Sequence, residues 1–383
     1  MPSTWWRDAS ELVKEQSDLL DIDPDQRLLI SGPPGSGKTN LLLLRANQLY
    51  LGAHPNLYVV VFGSLLKSFI QMGGTQYKFP SENVVTHASL FNMILRREGI
   101  EVNDSALGLM EARQHRANHL QDLINAGKIG AQFDALLLDE AQDYTPQEIR
   151  IFSQLTNVLV ATADVRQKIY DVADCSAVLA NAIGQEYKLK YHFRNGHDIC
   201  KVADGIYKGY PVYEPMLPTS NYREADYPSE ALPKYPLQFP DQIAEMIAQV
   251  RRQRVAYPED LIGILTPRNE ELDIIEAELN RAGLGAYCTR ANASNRFDYT
   301  RPIWLSTLAA AKGLEFRAVH ILGIGHLQRM PKVAMRLIFT GVTRAKTALT
   351  LYWHRTAPGY LKSACLPLEA PKPAPERNQI FGI

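Results

Sequence analysis

Cysteine is scarce in this sequence. Cys175, Cys200, Cys288 and Cys365 are the 4 in 383 residues, and they lie far apart with no CxxC pair. That spacing argues against a disulfide framework or a cysteine-based zinc module and suits a reducing cytoplasm. An excess of either charge is also missing: Lys+Arg and Asp+Glu are 41 each, so the formal net charge is zero. A grip on nucleic acid through overall charge is disfavoured, and any such grip must come from a local patch. No run approaches the roughly 18 uninterrupted apolar residues of a membrane helix. The opening Met-Pro-Ser-Thr-Trp-Trp-Arg-Asp lacks the basic and then apolar pattern of a secretory signal. No internal repeat of fixed short period is present. What the chain does have is apolar bulk. Its 46% hydrophobic and 21% charged residues imply packed cores, and its length suggests about two to three domains.

Short apolar runs alternate with helical patterns, which predicts a parallel α/β sheet. Strands are expected at residues 27–31, Leu57–Phe62, Val84–Thr86, Ala135–Leu138 and Val158–Thr162, and helices at residues 38–50, Ser64–Met72, Ser89–Arg97 and Ala106–Asn125. Residues 211–240 then carry seven prolines (Pro211, Pro215, Pro218, Pro228, Pro233, Pro236 and Pro240). Proline has no backbone donor and suits neither a helix interior nor a central strand, so a long surface connection is expected there. Alternation resumes with helices at Asp241–Arg254, Glu270–Ala282 and Arg336–Thr343, and strands at Leu261–Thr266, Ile303–Ser306, Ala318–Leu322 and Leu349–Trp353. Two α/β domains follow: residues 1–190, with a small helical insertion at about 92–133, and residues 191–357, with a flexible tail at 358–383.

Gly32-Pro33-Pro34-Gly35-Ser36-Gly37-Lys38-Thr39 fits GxxxxGK[ST] in full, between an expected strand and an expected helix. Gly32, Gly35 and Gly37 let backbone N–H groups converge on phosphate oxygens, with Ser36 and Asn40 beside them. The helix start adds partial positive charge where the anion sits. Lys38 is expected to reach the β- and γ-phosphates of ATP, and the Thr39 hydroxyl to ligate Mg²⁺. Downstream, Asp134–Asp143 reads as a strand that delivers Asp139 and Glu140 to its C-terminal end, where open α/β sheets place their ligands. Asp139 is expected to hold Mg²⁺, and Glu140 to orient or deprotonate the attacking water.

Asp139-Glu140-Ala141-Gln142, followed by Asp143, narrows the choice among phosphate-loop proteins. With it the chain resembles the UvrD/Rep-like superfamily 1 helicases, in a compact form with reduced accessory subdomains. The resemblance implies two RecA-like domains with the nucleotide site at their interface, and it runs through both in order. Gln16 looks like the adenine-reading glutamine, with Gln26 as a competing candidate. The segments Tyr58–Leu66 and Val84–Phe91 look like the two that hold single-stranded nucleic acid, which points to Phe62 and Thr86. Asp164-Val165-Arg166-Gln167-Lys168-Ile169-Tyr170 looks like GDxxQxIY, with Gln167 sensing the γ-phosphate and Tyr170 near a base. Tyr191–Asn195 is similar to the segment whose arginine, here Arg194, meets the γ-phosphate. Ser306–Phe316 looks like the KGLEF segment, in which Glu315 would meet the ribose and Thr307 a backbone phosphate. Val342–Lys346 is similar to the final motif, making Arg344 the arginine finger. Departures are Ala163 for a glycine, Ala309 for a histidine, Ala310 for a small polar residue, and His87 one place early.

The resemblance implies an ATP hydrolase that moves on single-stranded DNA, 3′→5′, by closing an interdomain cleft. RNA is an open alternative, because the contacts would be mainly to backbone and base faces. A reading from another class is a regulatory ATPase switch within a repair or anti-phage defence complex, with a protein partner docking on residues 358–383. A cytoplasmic location and no membrane contact are expected. Weaker signals have plain structural readings. His115 and His119 suit a solvated helix face, Arg251-Arg252-Gln253-Arg254 a helix end, Trp5-Trp6 an N-terminal anchor, and Phe62 a place in the core.

Overall fold

The computed structural model describes residues 11–52, 54–73, 77–164, 173–211, 213–290, 298–329 and 333–369. The chain begins with helix α1 (Lys14–Leu20) and then alternates β1 (Leu28–Ser31), α2 (Lys38–Leu51), β2 (Leu57–Val61), α3 (Ser64–Gly73), β3 (Val84–Thr86), α4 (His87–Arg97) and α5 (Leu109–Asn125). It continues through β4 (Phe133–Leu138), α6 (Pro146–Leu155), β5 (Thr156–Ala163), α7 (Ser176–Ile183) and β6 (Glu186–Lys188). These six strands form one all-parallel sheet in the order β3-β2-β4-β5-β1-β6. Successive residues of β4 point to opposite faces. Ala135 and Leu137 join one apolar cluster with α2, while Leu136 and Leu138 join another with α4, α5 and α6.

After α8 (His197–Ile206) come β7 (Glu230–Lys234), α9 (Phe239–Ala256), β8 (Ile262–Thr266), α10 (Asn269–Arg281), β9 (Cys288–Arg290), β10 (Ile303–Thr307), β11 (Phe316–Ile321), α11 (Ala334–Val342), β12 (Ala345–Tyr352) and α12 (Gly359–Glu369). Their six strands build a second parallel sheet, β7-β12-β11-β8-β10-β9, again with an apolar cluster on each face. The α/β class and the parallel sheets expected from the alternation are therefore present.

Several boundaries differ for local reasons. Helix α4 starts two residues before the expected Ser89, because the Thr86 hydroxyl caps it by accepting from Ser89 N at 3.2 Å. Helix α5 starts after Gly108, where Glu111 reaches back to Gly108 N at 3.0 Å. The Pro-rich connection is not wholly irregular, since residues 230–234 pair with β12 as β7. Pro233 is tolerated there because β7 lies at the sheet edge, where one side of the strand needs no ladder donors. Strand β12 begins at Ala345 rather than Leu349, its first half having no apolar run to mark it. The flexible tail expected from 358 is also corrected. Gly359–Glu369 is helical, and Leu361, Ala364 and Cys365 are buried in a cluster shared with α8. Residues 370–383, and with them most of the expected docking segment, lie outside the described residues, as do Trp5 and Trp6.

Candidate nucleotide site at the domain seam

Parallel pairing explains why distant segments meet. In the first sheet Ile30 pairs with Thr162, and Leu138 with Ala161. The loop after β1, the acids after β4 and the end of β5 therefore share one edge. Gly35 and Gly37 take positive φ of 77° and 89°, a region costly for residues with a Cβ. Space gives a second reason for glycine. A Cβ on Gly35 would stand 2.5 Å from Arg194 Cβ, and one on Gly37 would stand 2.9 Å from Gln16 Nε2.

Gln16 donates from Nε2 to Ser36 O at 2.9 Å and is buried against the loop, whereas Gln26 is exposed. The geometry thus puts Gln16, and not Gln26, beside the phosphate loop. Lys38 Nζ donates to Gly32 O and Pro33 O at 2.8 and 2.9 Å. Ser36 Oγ is buried inside the loop and has no hydrogen-bond partner among the described residues. A buried orphan hydroxyl costs free energy unless a ligand satisfies it. Asn40, one residue past the loop threonine, accepts from the Tyr77 hydroxyl at 3.0 Å.

Thr39 Oγ1 donates to Asp139 Oδ2 at 3.0 Å, and Thr162 Oγ1 donates to Asp139 Oδ1 at 2.5 Å. Burial and the neighbouring Glu140 carboxylate raise the Asp139 pKa to about 6. Glu140 is pushed the other way. Burial opposes its charge, but Lys312, Lys38, Arg344 and the Gln142 amide outweigh it and hold the carboxyl below its usual value. The two adjacent acids thus sit in different surroundings: cations keep Glu140 ionised, while burial and an anionic neighbour make the charge of Asp139 costly. The Thr39–Asp139 pair is an all-oxygen donor set of the kind Mg²⁺ accepts. With the Ser36 hydroxyl and the glycine cradle, the residues present fit a magnesium–nucleoside triphosphate.

The second sheet supplies cations. Phe316 pairs with Ala345, so the residues just before them, Glu315 and Arg344, stand side by side. Arg344 donates to Thr340 O and Leu314 O at 3.1 Å and to Thr343 Oγ1 at 3.3 Å. Burial and the like charge of Arg194 push its pKa down to about 9. Arg194 is bound to Glu315 Oε2 at 2.6 Å and touches the phosphate loop, where Phe193 N donates to Gly35 O at 3.1 Å. Glu315 also meets Lys346 at 3.5 Å, so the carboxylate expected at a ribose is engaged here by two cations. Across the seam, Lys312 bonds Asp143 and lies 3.4 Å from Glu140 Oε2.

The expected nucleic-acid contacts divide. Phe62 follows β2 and Thr86 ends β3, so both share the sheet edge of the phosphate loop. Phe62 is already stacked on His87, with centroids 5.0 Å apart, and Arg113 lies 5.0 Å from its ring. Thr86 caps α4. Thr307 ends β10, at the opposite edge of the second sheet from Arg344, and accepts from Ala310 N at 3.2 Å. Gln167 and Tyr170 lie outside the described residues. His115 and His119 bond each other at 3.1 Å and His115 bonds Asp104, and no metal-binding group of three or more such side chains is present among the described residues. Arg251 and Arg254 end α9 by bonding Ala282 O and Pro258 O. Residues the sequence reading left without a role are Lys312, Gln142, Thr162 and Lys346. Lys312 stands inside the KGLEF segment, which was a usable signal. Thr162 gave none, because only sheet register brings it to Asp139.

Fold and site together define a two-sheet, parallel α/β phosphate-loop protein with acids on one side of a seam and cations on the other. Residues 302–352 match the model of the UvrD-like helicase C-terminal domain, which bears out the UvrD-like resemblance. Among solved structures, the chain is similar to the PRRSV helicase (16% identity, TM-score 0.42), covering 89% of this chain and 55% of that one. It thus spans about half of that helicase's length. It is also similar to the C-terminal domain of a possible DNA helicase from Lactobacillus plantarum WCFS1 (17% identity, TM-score 0.35), covering 46% of this chain and 96% of that one. No curated protein matches the chain.

Proposed function

We propose that the protein is an ATP- and Mg²⁺-dependent translocase of helicase type, acting on single-stranded DNA with 3′→5′ polarity, in which hydrolysis is coupled to closure of the seam. The observation that supports this reading is the closeness of the two sides: Arg194 crowds the phosphate loop at Gly35, and Arg344 is near enough to Glu140 to help hold its carboxyl below the usual value, beside the Thr39–Asp139 pair. Bound Mg²⁺ would neutralise phosphate charge. The chain's own residues do the rest. The loop N–H groups and Lys38 hold the anion, Thr39 and Asp139 hold the metal, and Gln16 borders the base end. Glu140 accepts a proton from water. Arg344 and Arg194 meet charge that grows during transfer, and such a finger supplies roughly 10³–10⁵ in rate. The test is steady-state ATP hydrolysis with and without single-stranded DNA or RNA. We expect stimulation by DNA of about tenfold or more, close to 1.4 kcal/mol in barrier. Equal rates with and without either polymer would favour the regulatory switch instead.

A further inference from the structure

Lys312 has no part in the reading above, yet its ammonium reaches the acid turn of the other domain. It bonds Asp143 and lies 3.4 Å from Glu140 Oε2. Gln142 Nε2 donates to the same Oε2 at 2.5 Å, and Gln142 is itself fixed by accepting from Asp164 N at 3.0 Å. The carboxylate is thus held by one oxygen, from two sides. Its backbone gives this a purpose, because Glu140 stands at φ 52°, a conformation that non-glycine residues keep only when their surroundings enforce it. The turn bearing Lys312 is pressed on α3 of the first domain, since a Cβ on Gly313 would stand 2.7 Å from Leu66 Cδ2.

We infer that Lys312 is a positioning residue for the general base: with Gln142 it holds Glu140 by Oε2, so that Oε1 is aimed at the attacking water only while the two domains are engaged. The inference rests on Glu140 being that base. It makes seam closure a condition for a competent base as well as for the arginines. It also gives the turn between Thr307 and Glu315 a way to pass the state of the second domain to the acid. A plain structural ion pair would instead affect folding and binding without a selective effect on turnover.

The experiment compares Lys312→Met, Lys312→Arg and Lys312→Gln with the wild type in kcat, KM for ATP and equilibrium binding of a fluorescent ATP analogue. Lys312→Met is expected to lower kcat about tenfold or more, a part of what a general base contributes. Analogue binding should stay within about twofold, the mark of an interaction made mainly in the transition state. Lys312→Arg keeps the cation and should recover most of the loss. Lys312→Gln, which removes the charge but keeps a polar group, should behave as Lys312→Met. Glu140→Gln combined with Lys312→Met should be no slower than Glu140→Gln alone, because residues acting as a unit are non-additive. Wild-type kcat in Lys312→Met or Lys312→Gln, an equal fall in binding, or additive losses in the double variant would overturn the inference. If Glu140→Gln itself turned over at the wild-type rate, both this inference and the assignment of the base would fall together.

Discussion

Glu140 and Asp139 are neighbours in the chain but differ in what surrounds them. Cations from both domains face Glu140, while Asp139 has two hydroxyls and an anionic neighbour. Glu140→Gln should therefore still bind ATP but turn over about 10²–10⁴ times more slowly, the usual contribution of a general base; single-turnover kinetics beside analogue binding checks this. Arg344→Ala should lose rate with little loss of ATP affinity, because a finger acts in the transition state. A defect in affinity alone would remove it from that role. The raised Asp139 pKa has a thermodynamic sign. A carboxyl whose folded pKa exceeds its unfolded value stabilises the fold at low pH, and that contribution is lost as pH rises through about 6. Above that pH the buried charge is a cost that a bound cation relieves. Mg²⁺ should therefore raise the melting temperature more above pH 6 than well below it, and an Mg²⁺ effect independent of pH would contradict the assignment.

Among the elements, α5 is tied to the acid turn by a buried ion pair. Arg113 Nε donates to Glu148 Oε1 at 3.0 Å, and its Nη2 donates to Asp143 O at 3.0 Å. Glu148 also closes the N-terminus of α6 through Thr145 N at 2.8 Å. Both side chains are 1% exposed. Arg113→Met would leave the Glu148 charge buried and unpaired, at a cost of about 3–5 kcal/mol, measurable by urea denaturation. A loss under about 1 kcal/mol, the range of surface pairs, would mean that water reaches Glu148. Element type was legible wherever an apolar run met a turn signal, as in β1, β4 and β8. It was not legible at β6, β7 and β9, nor in the first half of β12. There, short or mixed segments become strands because a neighbouring strand offers a ladder, a cause that lies outside their own sequence.

For the whole molecule, the seam is held by Lys312 with Asp143 and Glu140, and by Phe193 N with Gly35 O. All four native cysteines are buried. Labels on cysteines introduced at exposed Leu51 and Ile274 would therefore report the spacing of the two domains. A non-hydrolysable ATP analogue should narrow that distance distribution, because ligand contacts from both domains favour the engaged state. An identical distribution with and without analogue would remove seam closure from the mechanism.

The linear sequence by itself determined the phosphate loop, the paired acids, the α/β class and the order of the later motifs. Each is a local pattern whose chemistry or periodicity is carried by adjacent residues. Only the tertiary structure decided that Gln16 rather than Gln26 meets the loop, that Phe62 is stacked on His87, that Glu315 is shared by Arg194 and Lys346, and that Lys312 reaches Glu140. Those outcomes depend on sheet register and on which side chains the seam crowds together. Both arise from packing between residues that are not neighbours in the chain, such as Gln16 and Ser36, 20 positions apart, and Arg194 and Glu315, 121 apart, for which no local pattern exists.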